Sequence, residues 1–178
     1  GVYFNAVDIL SAYGLGDLDA EGKFTKINAT YQSFGDSADS LKDGKIDAAF
    51  IVAGAPTTAI TDLSTTKTAY LVSLDDEHIN DLLAASPYYT KHVIPAGTYN
   101  NQNEDIQTIC MPTFLICDKD MDEQLVYEIT KLMIENEDYL CSQHSCFEAM
   151  NDDTVAAGLS IPMHPGAERY FKEVGILK

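Results

Sequence analysis

The sequence predicts an α/β fold with a partly parallel sheet wrapped by helices. Helical and strand-like segments alternate as αβαβαβα through residues 1–87, and this order is typical of parallel strands joined by helical crossovers. The segment IDAAFIV, residues 46–52, is almost continuously apolar, which favours a strand covered on both faces. Hydrophobic residues make up 46% of the 178 residues, enough for a sizeable core.

The elements before the apolar run follow from periodicity and from helix-ending glycines. Apolar residues at helical spacing predict a first helix over 5–13, with Gly14 in the left-handed conformation at its end. Alternating apolar residues predict a strand over 24–34. A short helix should follow over 33–45, with Gly44 at its end.

The elements after the apolar run begin with a helix that has Pro56 in its first turn, where the missing N–H is harmless. The segment TAYLVSL, residues 68–74, reads as a further strand. Asp75 and Asp76 can cap the next helix, which should stop at Pro87.

The pattern changes after residue 87. Two strand-like segments, 91–95 and 106–117, flank the polar loop AGTYNNQNED. Pro112 lies in the second of them and cannot donate to a ladder, so we expect an edge or a crossing between sheets. Helices should follow from Asp120, which has capping-box spacing with Glu123. The segments CFEAM, TVAAGL and HPGAERYFKE are predicted to form the remaining helices.

Charge and composition exclude several classes of partner. The net charge is −17, from 28 acidic and 11 basic residues, and Arg169 is the single arginine. Nucleic-acid binding needs clustered Lys and Arg, so no nucleic-acid partner is expected. The sequence has no run of about 18 apolar residues that could span a membrane. Gly1 is not an initiator Met, so we expect a removed leader or a longer protein.

The four cysteines leave alternatives open. Cys141 and Cys146 could form a disulfide, contribute with His144 to a metal site, or remain free thiols on a helix. Cys110 and Cys117 are an odd number of residues apart and would lie on opposite faces of a strand. No disulfide between them is expected, and burial is the predicted role for both.

No motif indicates catalysis, a metal or a cofactor. The sequence lacks G-x-S-x-G, P-loop and H-E-x-x-H patterns. His78 and His92 have no nucleophile beside them, and we expect His78 on a solvated helix face. The acidic alternation over 118–122 lacks the Gly and the distant Glu of a calcium loop. We therefore expect a protein that is not an enzyme.

Small, uncharged residues at a strand-to-helix junction predict a ligand site. In open α/β sheets, ligands bind beyond the carboxyl ends of strands, where helix N-termini present unpaired N–H groups. In AGAPTT, residues 53–58, Gly54 allows close approach to the backbone and the threonines add hydroxyls. Segments 33–35 and 1–5 enter helices similarly. We expect these three helix N-termini to meet at one crevice that binds a carboxylate; the alternative is an ordinary turn rich in Gly and Pro.

Four segments carry a family resemblance, in the family's order and over almost the whole chain. They are GVYFNAVDILSAYGL, SFGDSADSLKDGKIDAAFIVAGAPTTAI, IPAGTYNNQNEDIQTICMPTFLICDKDMDEQLVYEITKLMIEN and IPMHPGAERYFKE. Together they resemble the TAXI-type solute receptors of TRAP transporters. The resemblance implies a bilobal periplasmic binding protein of type II that captures a small organic acid or amino acid, glutamate-like or dicarboxylate-like. It would deliver this solute to the membrane permease of the transporter.

The resemblance also implies the domain organisation and the location. The chain corresponds to the C-terminal part of the family, a fragment of the bilobal fold. Residues 1–87 would form most of the second lobe, residues 88–118 the return crossing with the hinge strands, and residues 119–178 the C-terminal helices that brace the lobes. The full-length protein would be periplasmic or extracellular, with a lipid anchor at the cell surface. We expect the exposed sheet edge of such a fragment to permit dimers.

The ligand-binding residues implied by the resemblance lie in four segments. They are Tyr3, Asn5, Ser33, Phe34, Ala53, Gly54, Ala55, Pro56, Thr57, Gly97, Thr98 and Tyr99. Tyr99 is expected to stack on the ligand or to form a hydrogen bond with it; the alternative is a loop tyrosine that packs on the C-terminal helices. An alternative function is a cell-surface adhesion or immunogenic module that keeps the fold without the transport ligand.

Overall fold

The computed structural model describes residues 1–67, 69–144, 147, 150, 155–156, 159 and 161–177. These residues form two compact units, Gly1–Met111 and Pro112–Lys178. The helices and strands of the first unit are α1 (Val2–Ala12), α2 (Phe34–Lys42), α3 (Thr58–Thr66), α4 (Asp76–Ala85), β1 (Thr90–Ile94) and β2 (Ile106–Cys110). Those of the second unit are α5 (Glu123–Glu135), α6 (Glu137–Gln143) and α7 (Pro165–Glu173).

Local capping signals account for the ends of several helices. The Asp75 carboxylate accepts a hydrogen bond from the His78 N–H at 3.0 Å and caps α4, as the sequence predicts. Gly14 and Gly44 have φ values of 69° and 68° and follow α1 and α2, which confirms the left-handed ends. The segment HPGAERYFKE forms α7, as predicted, and Pro165 lies in its first turn, where its missing N–H is harmless.

Two predicted helix starts are wrong by two or three residues. The cap of α5 is Asp122, whose carboxylate accepts from the Leu125 N–H at 2.9 Å, and Asp120 lies outside the helix. Pro56 precedes the N-cap residue Thr57 of α3 and is not in its first turn. In both cases the N-cap residue lies further along the chain than the predicted start, at Asp122 and at Thr57.

The core of the first unit lies between α1, α4 and the strand pair. It consists of the buried residues Leu74, Ile79, Leu82 and Tyr89, with Ile9, Ala12, Tyr13, Leu83 and Ile109 packed against them. Ile79 is fully buried. Burial of a side chain of this size contributes about 1.5–3 kcal/mol. Ile79 and Leu82 both lie on α4, so this helix supplies half of the buried core residues.

The predicted parallel sheet is not found among the described residues. None of the segments 24–34, 46–52 and the described part of 68–74 forms a strand. Phe24 makes an isolated antiparallel bridge with Leu18, Phe34 begins α2, and the remaining described residues are extended or irregular. Tyr70 and Val72 are 84% and 81% exposed, and most of segment 46–52 is exposed rather than covered. The strand predictions for these segments are therefore wrong for this structure. An apolar pattern predicts which side chains can be buried, but a strand also needs a neighbour for its backbone hydrogen bonds.

The strand ladder that does form is antiparallel. β1 pairs with β2, with His92 opposite Thr108. β2 stops at Cys110, two residues before Pro112, so the predicted strand over 106–117 is shorter than expected. Its end agrees with the missing N–H of Pro112. Cys110 and Cys117 are exposed, which corrects the prediction of burial.

The second unit is held together by close packing of α7 on α5. A Cβ atom at Gly166 would lie 2.3 Å from the Glu123 carbonyl oxygen and 2.8 Å from the Tyr127 nitrogen. The absence of a side chain thus permits the backbones to approach. Arg169 on α7 forms an ion pair with Glu123 at 2.6 Å, and its guanidinium lies 4.4 Å from the centre of the Tyr127 ring. This geometry explains a structural role for the single arginine.

Three predicted features fall wholly or partly on residues that the structure does not describe. The segments CFEAM and TVAAGL, and the pairing of Cys141 with Cys146, lie wholly or partly outside the described residues. Within the described ranges, no helix combines the length and the apolar character needed to cross a bilayer.

Candidate functional site

Two of the predicted ligand segments meet through a hydrogen bond. The Tyr99 hydroxyl accepts from the backbone N–H of Thr57 at 3.0 Å. Tyr99 is 6% exposed, and this burial raises the pKa of its hydroxyl, while the hydrogen bond from Thr57 acts in the opposite direction. The contact joins the segment around Gly97 to the segment around Gly54.

The N-terminus of α3 lacks the side-chain cap that most of the other described helices have. Thr57 makes no side-chain cap, and the first turn of α3 contains no acidic residue. α2, α4, α5 and α7 all have a side chain that accepts from their first turn. Ala53, Gly54 and Pro56 are exposed beside this end, and Ala55 is half-buried. Backbone N–H groups at such an end attract anions.

The loop that presents Tyr99 has a defined conformation. Gly97 has a φ of 82° and donates to the Gln102 carbonyl at 2.8 Å. The Thr98 hydroxyl donates to the Pro95 carbonyl at 2.7 Å. Thr98 therefore uses its hydroxyl proton inside the loop, whereas the sequence predicts a ligand contact for it.

Three further polar residues hold this loop, and none of them was predicted from the sequence. The Gln102 amide bonds to the loop backbone on both sides, and Asp105 accepts from the Ala96 N–H at 2.8 Å. Asn100 donates to the Ser64 carbonyl at 3.2 Å and attaches the loop to α3 a second time. The side-chain amides and the carboxylate of NNQNED were the available signal, because such groups often bond to backbone in loops.

The N-terminus of α2 differs from the predicted anion site. The Ser33 hydroxyl accepts from the Asp36 N–H at 3.1 Å and lies 2.6 Å from the Asp36 carboxylate. The first turn therefore has its own acceptor and its own negative charge, both of which disfavour a second anion. Phe34, the first residue of α2, is half-buried. Ser33 is observed as a helix cap.

An open depression lies along the same helix. Its volume is about 710 Å³ and its lining is Tyr31, Gln32, Ser33, Asp36, Asp39, Ser40, Asp43 and Lys45. Lys45 lies 2.8 Å from Asp43 and lowers the pKa of that carboxyl. Three carboxylates against one lysine make this surface negative, so it is poorly suited to a carboxylate ligand.

The predicted site residues of α1 are held by other parts of the first unit. The Tyr3 hydroxyl donates to the Gly22 carbonyl at 3.0 Å, and its ring lies 6.1 Å from that of Tyr31. Asn5 is buried, and its Oδ1 atom lies 2.8 Å from the Tyr89 hydroxyl. Convergence of all three helix N-termini on one crevice stays a prediction.

A polar cluster links the end of α1 to the start of α4. The rings of Tyr13 and His78 stack with centroids 3.8 Å apart and an interplanar angle of 11°. Both side chains bond to Asp75 at 2.8 Å. Hydrogen bonds from the His78 N–H, the His78 ring and the Tyr13 hydroxyl lower the pKa of Asp75. His78 is thus part of a helix-joining cluster, which corrects its predicted place on a solvated face.

The groups available around Thr57 and Tyr99 are backbone N–H groups at the start of α3 and a buried tyrosine hydroxyl. The Thr57 N–H and the Tyr99 hydroxyl are close together, and the first turn of α3 contains no acidic residue. In the described part of the chain, no group of three or more His, Cys, Asp or Glu side chains is arranged to hold a metal ion. Fold and site together therefore define a class, an α/β protein with a candidate anion-binding helix end.

Comparison with known families gives the relationship. Residues 1–175 match the model of the NMT1-like family. The chain belongs to this family, whose members are periplasmic solute-binding proteins with a periplasmic-binding-protein-like fold. Membership indicates an extracytoplasmic solute-binding role.

Proposed function

We propose that this chain is the solute-binding subunit of a TRAP-type transporter of the TAXI class. It captures a small organic acid or amino acid, glutamate-like or dicarboxylate-like, and delivers it to the membrane permease. Membership of a solute-binding family over residues 1–175 supports the general role. The observation that carries the site is the hydrogen bond between Thr57 and Tyr99, because it joins two segments expected to line the cleft.

The proposed binding interaction is electrostatic and uses main-chain groups. α3 begins without a side-chain cap and without an acid in its first turn. The positive end of the helix dipole and the N–H groups of that turn can hold a carboxylate without an arginine. This explains how a chain with a net charge of −17 could bind an anion. The solute is bound and released unchanged, without a metal or a cofactor.

We propose that the protein acts outside the cytoplasmic membrane. Its family is typically periplasmic or extracellular. We propose that a lipid anchor holds the full-length protein near its permease. Binding on one side of the membrane and delivery to a permease would then occur at the same surface.

A thermal-shift panel tests solute capture. Amino acids and dicarboxylates, with L-glutamate and succinate included, are added to the protein and unfolding is followed. A solute at a hundredfold excess over Kd stabilises the folded state by about 2.7 kcal/mol. For a chain of this size that is a rise of roughly 5 °C or more in Tm. A panel without any shift would overturn the proposed function.

A variant at the helix end tests the location of the site. Gly54 is exposed beside α3, so Gly54→Val should leave the fold intact and abolish the shift by blocking approach to the backbone. Ala20→Val is the control, because Ala20 is exposed in a turn outside the predicted ligand segments and the substitution introduces the same side chain. A full shift in Gly54→Val would place the site elsewhere.

A further inference from the structure

One side chain organises the turn between β1 and β2. The Nε2 atom of Gln102 lies 3.2, 2.9 and 3.0 Å from the carbonyl oxygens of Ile94, Pro95 and Glu104. Its Oε1 atom accepts from the Tyr99 N–H at 3.2 Å. The two amide hydrogens are shared among three acceptors, so the NH₂ group is fully used. Gln102 is half-buried in this position.

The main chain of Gln102 adds to the same arrangement. Its N–H donates to the Tyr99 carbonyl at 3.2 Å, and its carbonyl accepts from the Gly97 N–H at 2.8 Å. Gln102 and Tyr99 are therefore joined by two hydrogen bonds, one from the side chain and one from the backbone. Tyr99 then makes its own bond to Thr57.

We propose that Gln102 is a positioning residue of the solute site. It fixes the loop so that the buried Tyr99 ring brings its hydroxyl to the N–H at the start of α3. Gln102 bonds to the loop and to Tyr99, and its effect on the start of α3 passes through Tyr99. The effect on solute affinity rests on the function proposed above, whereas the effect on Tyr99 does not.

The arrangement requires the glutamine amide. A glutamate at this position lacks the donor and would place a carboxylate against three carbonyl oxygens. A methionine has similar length and shape but neither donates nor accepts strongly. Glutamate therefore removes the bonds to the loop carbonyls, and methionine removes these bonds and the bond from the Tyr99 N–H. In either variant the loop loses the conformation that presents Tyr99.

The experiment compares Gln102→Met and Gln102→Glu with the control Asn103→Asp. Asn103 is exposed in the same loop, and its substitution makes the same amide-to-carboxylate change. Two readouts report the Tyr99 position in the folded protein. They are the titration of Tyr99 followed by ¹³Cζ-tyrosine NMR and the amide resonance of Thr57, both assigned with Tyr99→Phe. A third readout is the Kd for L-glutamate and succinate by calorimetry.

In Gln102→Met we expect the titration of Tyr99 to move toward the ordinary tyrosine pKa of about 10. The Thr57 amide should move to its position in Tyr99→Phe, while the Tyr89 signal stays unchanged. If Gln102 contributed only to global stability, its substitution would lower Tm without moving either signal. For a solute that binds the unmodified protein, the affinity should fall about tenfold, the change expected when one hydrogen bond is lost. Asn103→Asp should match the unmodified protein in all three readouts.

Unchanged Tyr99 and Thr57 signals in Gln102→Met would overturn the positioning role. Moved signals with unchanged affinity for a solute that binds would overturn the link from Gln102 to the site. If neither solute binds the unmodified protein, the proposed function loses its support, and the two NMR signals still decide whether Gln102 positions Tyr99.

Discussion

The Tyr89 hydroxyl lies 2.8 Å from Asn5 Oδ1 and 2.7 Å from Asp8 Oδ2, which places one proton between two acceptors. Tyr89 is in the core of the first unit. Its hydroxyl thus attaches the first turns of α1 to the segment that follows α4. Burial, followed by the bond to Asp8 and its charge, raises the pKa of Tyr89 to about 12.

This raised pKa predicts a loss of stability in alkali. The unfolded chain releases the Tyr89 proton near pH 10, whereas the folded chain keeps it to about pH 12. The folded state therefore binds more protons in this window, and the free energy of unfolding should fall as pH rises from about 10 to 12. Denaturant unfolding at several pH values measures the slope.

Two phenylalanine variants assign the slope. Tyr89→Phe should be less stable near pH 8 and should show a smaller decline between pH 10 and 12. Tyr88→Phe is the control, because Tyr88 is an exposed neighbour, and its decline should equal that of the unmodified protein. Equal slopes in all three proteins would contradict the assignment.

The lowered pKa of Asp75 predicts that the folded state loses stability in acid. Its pKa is lowered by hydrogen bonds from His78 and Tyr13, so the charged form is favoured in the folded state. The resulting stability is present above the ordinary Asp pKa of about 3.9 and is lost as pH falls below it. Asp75→Asn keeps a capping oxygen and removes the titration, so its Tm should vary less between pH 5 and pH 3.

The exposed Asp81 on the same helix supplies the control. Asp81→Asn should retain the acid sensitivity of the unmodified protein. If Asp75→Asn and Asp81→Asn had the same pH dependence, the Tyr13–His78 cluster would not contribute to acid stability.

Local chemistry made part of the fold predictable. The cap at Asp75, the left-handed Gly14 and the proline that begins α7 each depend on a few neighbouring residues, and all three are observed. The strands over 24–34 and 46–52 depend on partners distant in sequence. Those predictions failed because the described residues supply no neighbouring strand for these two segments, and most of segment 46–52 is exposed as a result.

The candidate site shows the same division. Thr57 and Tyr99 were predicted to share a site, and their hydrogen bond shows that they are neighbours. Their role toward a ligand stays a prediction. Ser33 was predicted to bind the ligand, because it lies just before a helix. Its hydroxyl instead bonds to the N–H and the carboxylate of Asp36 and caps that helix. Gln102 was missed because the residue types of NNQNED indicate backbone bonding in general, whereas only the folded loop shows which amide makes it.

Close packing of α7 on α5 predicts that Gly166 tolerates no side chain. The added Cβ of Gly166→Ala would meet backbone atoms of Glu123 and Tyr127, which cannot rotate away. Overpacking of this kind destabilises by about 1–3 kcal/mol, even though alanine favours helix. Thermal unfolding should show the loss, and near-UV circular dichroism should show a changed environment for Tyr127.

Gly35→Ala is the opposite case. Its added Cβ meets nothing closer than 4.0 Å, so helix propensity should make it neutral or stabilising by up to about 1 kcal/mol. A Gly166→Ala protein as stable as Gly35→Ala would mean that the two helices are not packed as closely as described.

The negative charge of the chain predicts how salt affects solute binding. A net charge of −17 repels a dicarboxylate at long range, whereas the N–H groups at the start of α3 act at contact distance. Salt screens the long-range repulsion more strongly than the short-range attraction, with a Debye length of about 30 Å at 0.01 M and about 8 Å at 0.15 M. The affinity for succinate should therefore rise between these salt concentrations, and calorimetry at fixed pH measures it.

L-Glutamate has one net negative charge fewer and should show a smaller rise. A fall in affinity with salt would indicate that a local cluster of side-chain cations, rather than backbone N–H groups, holds the solute.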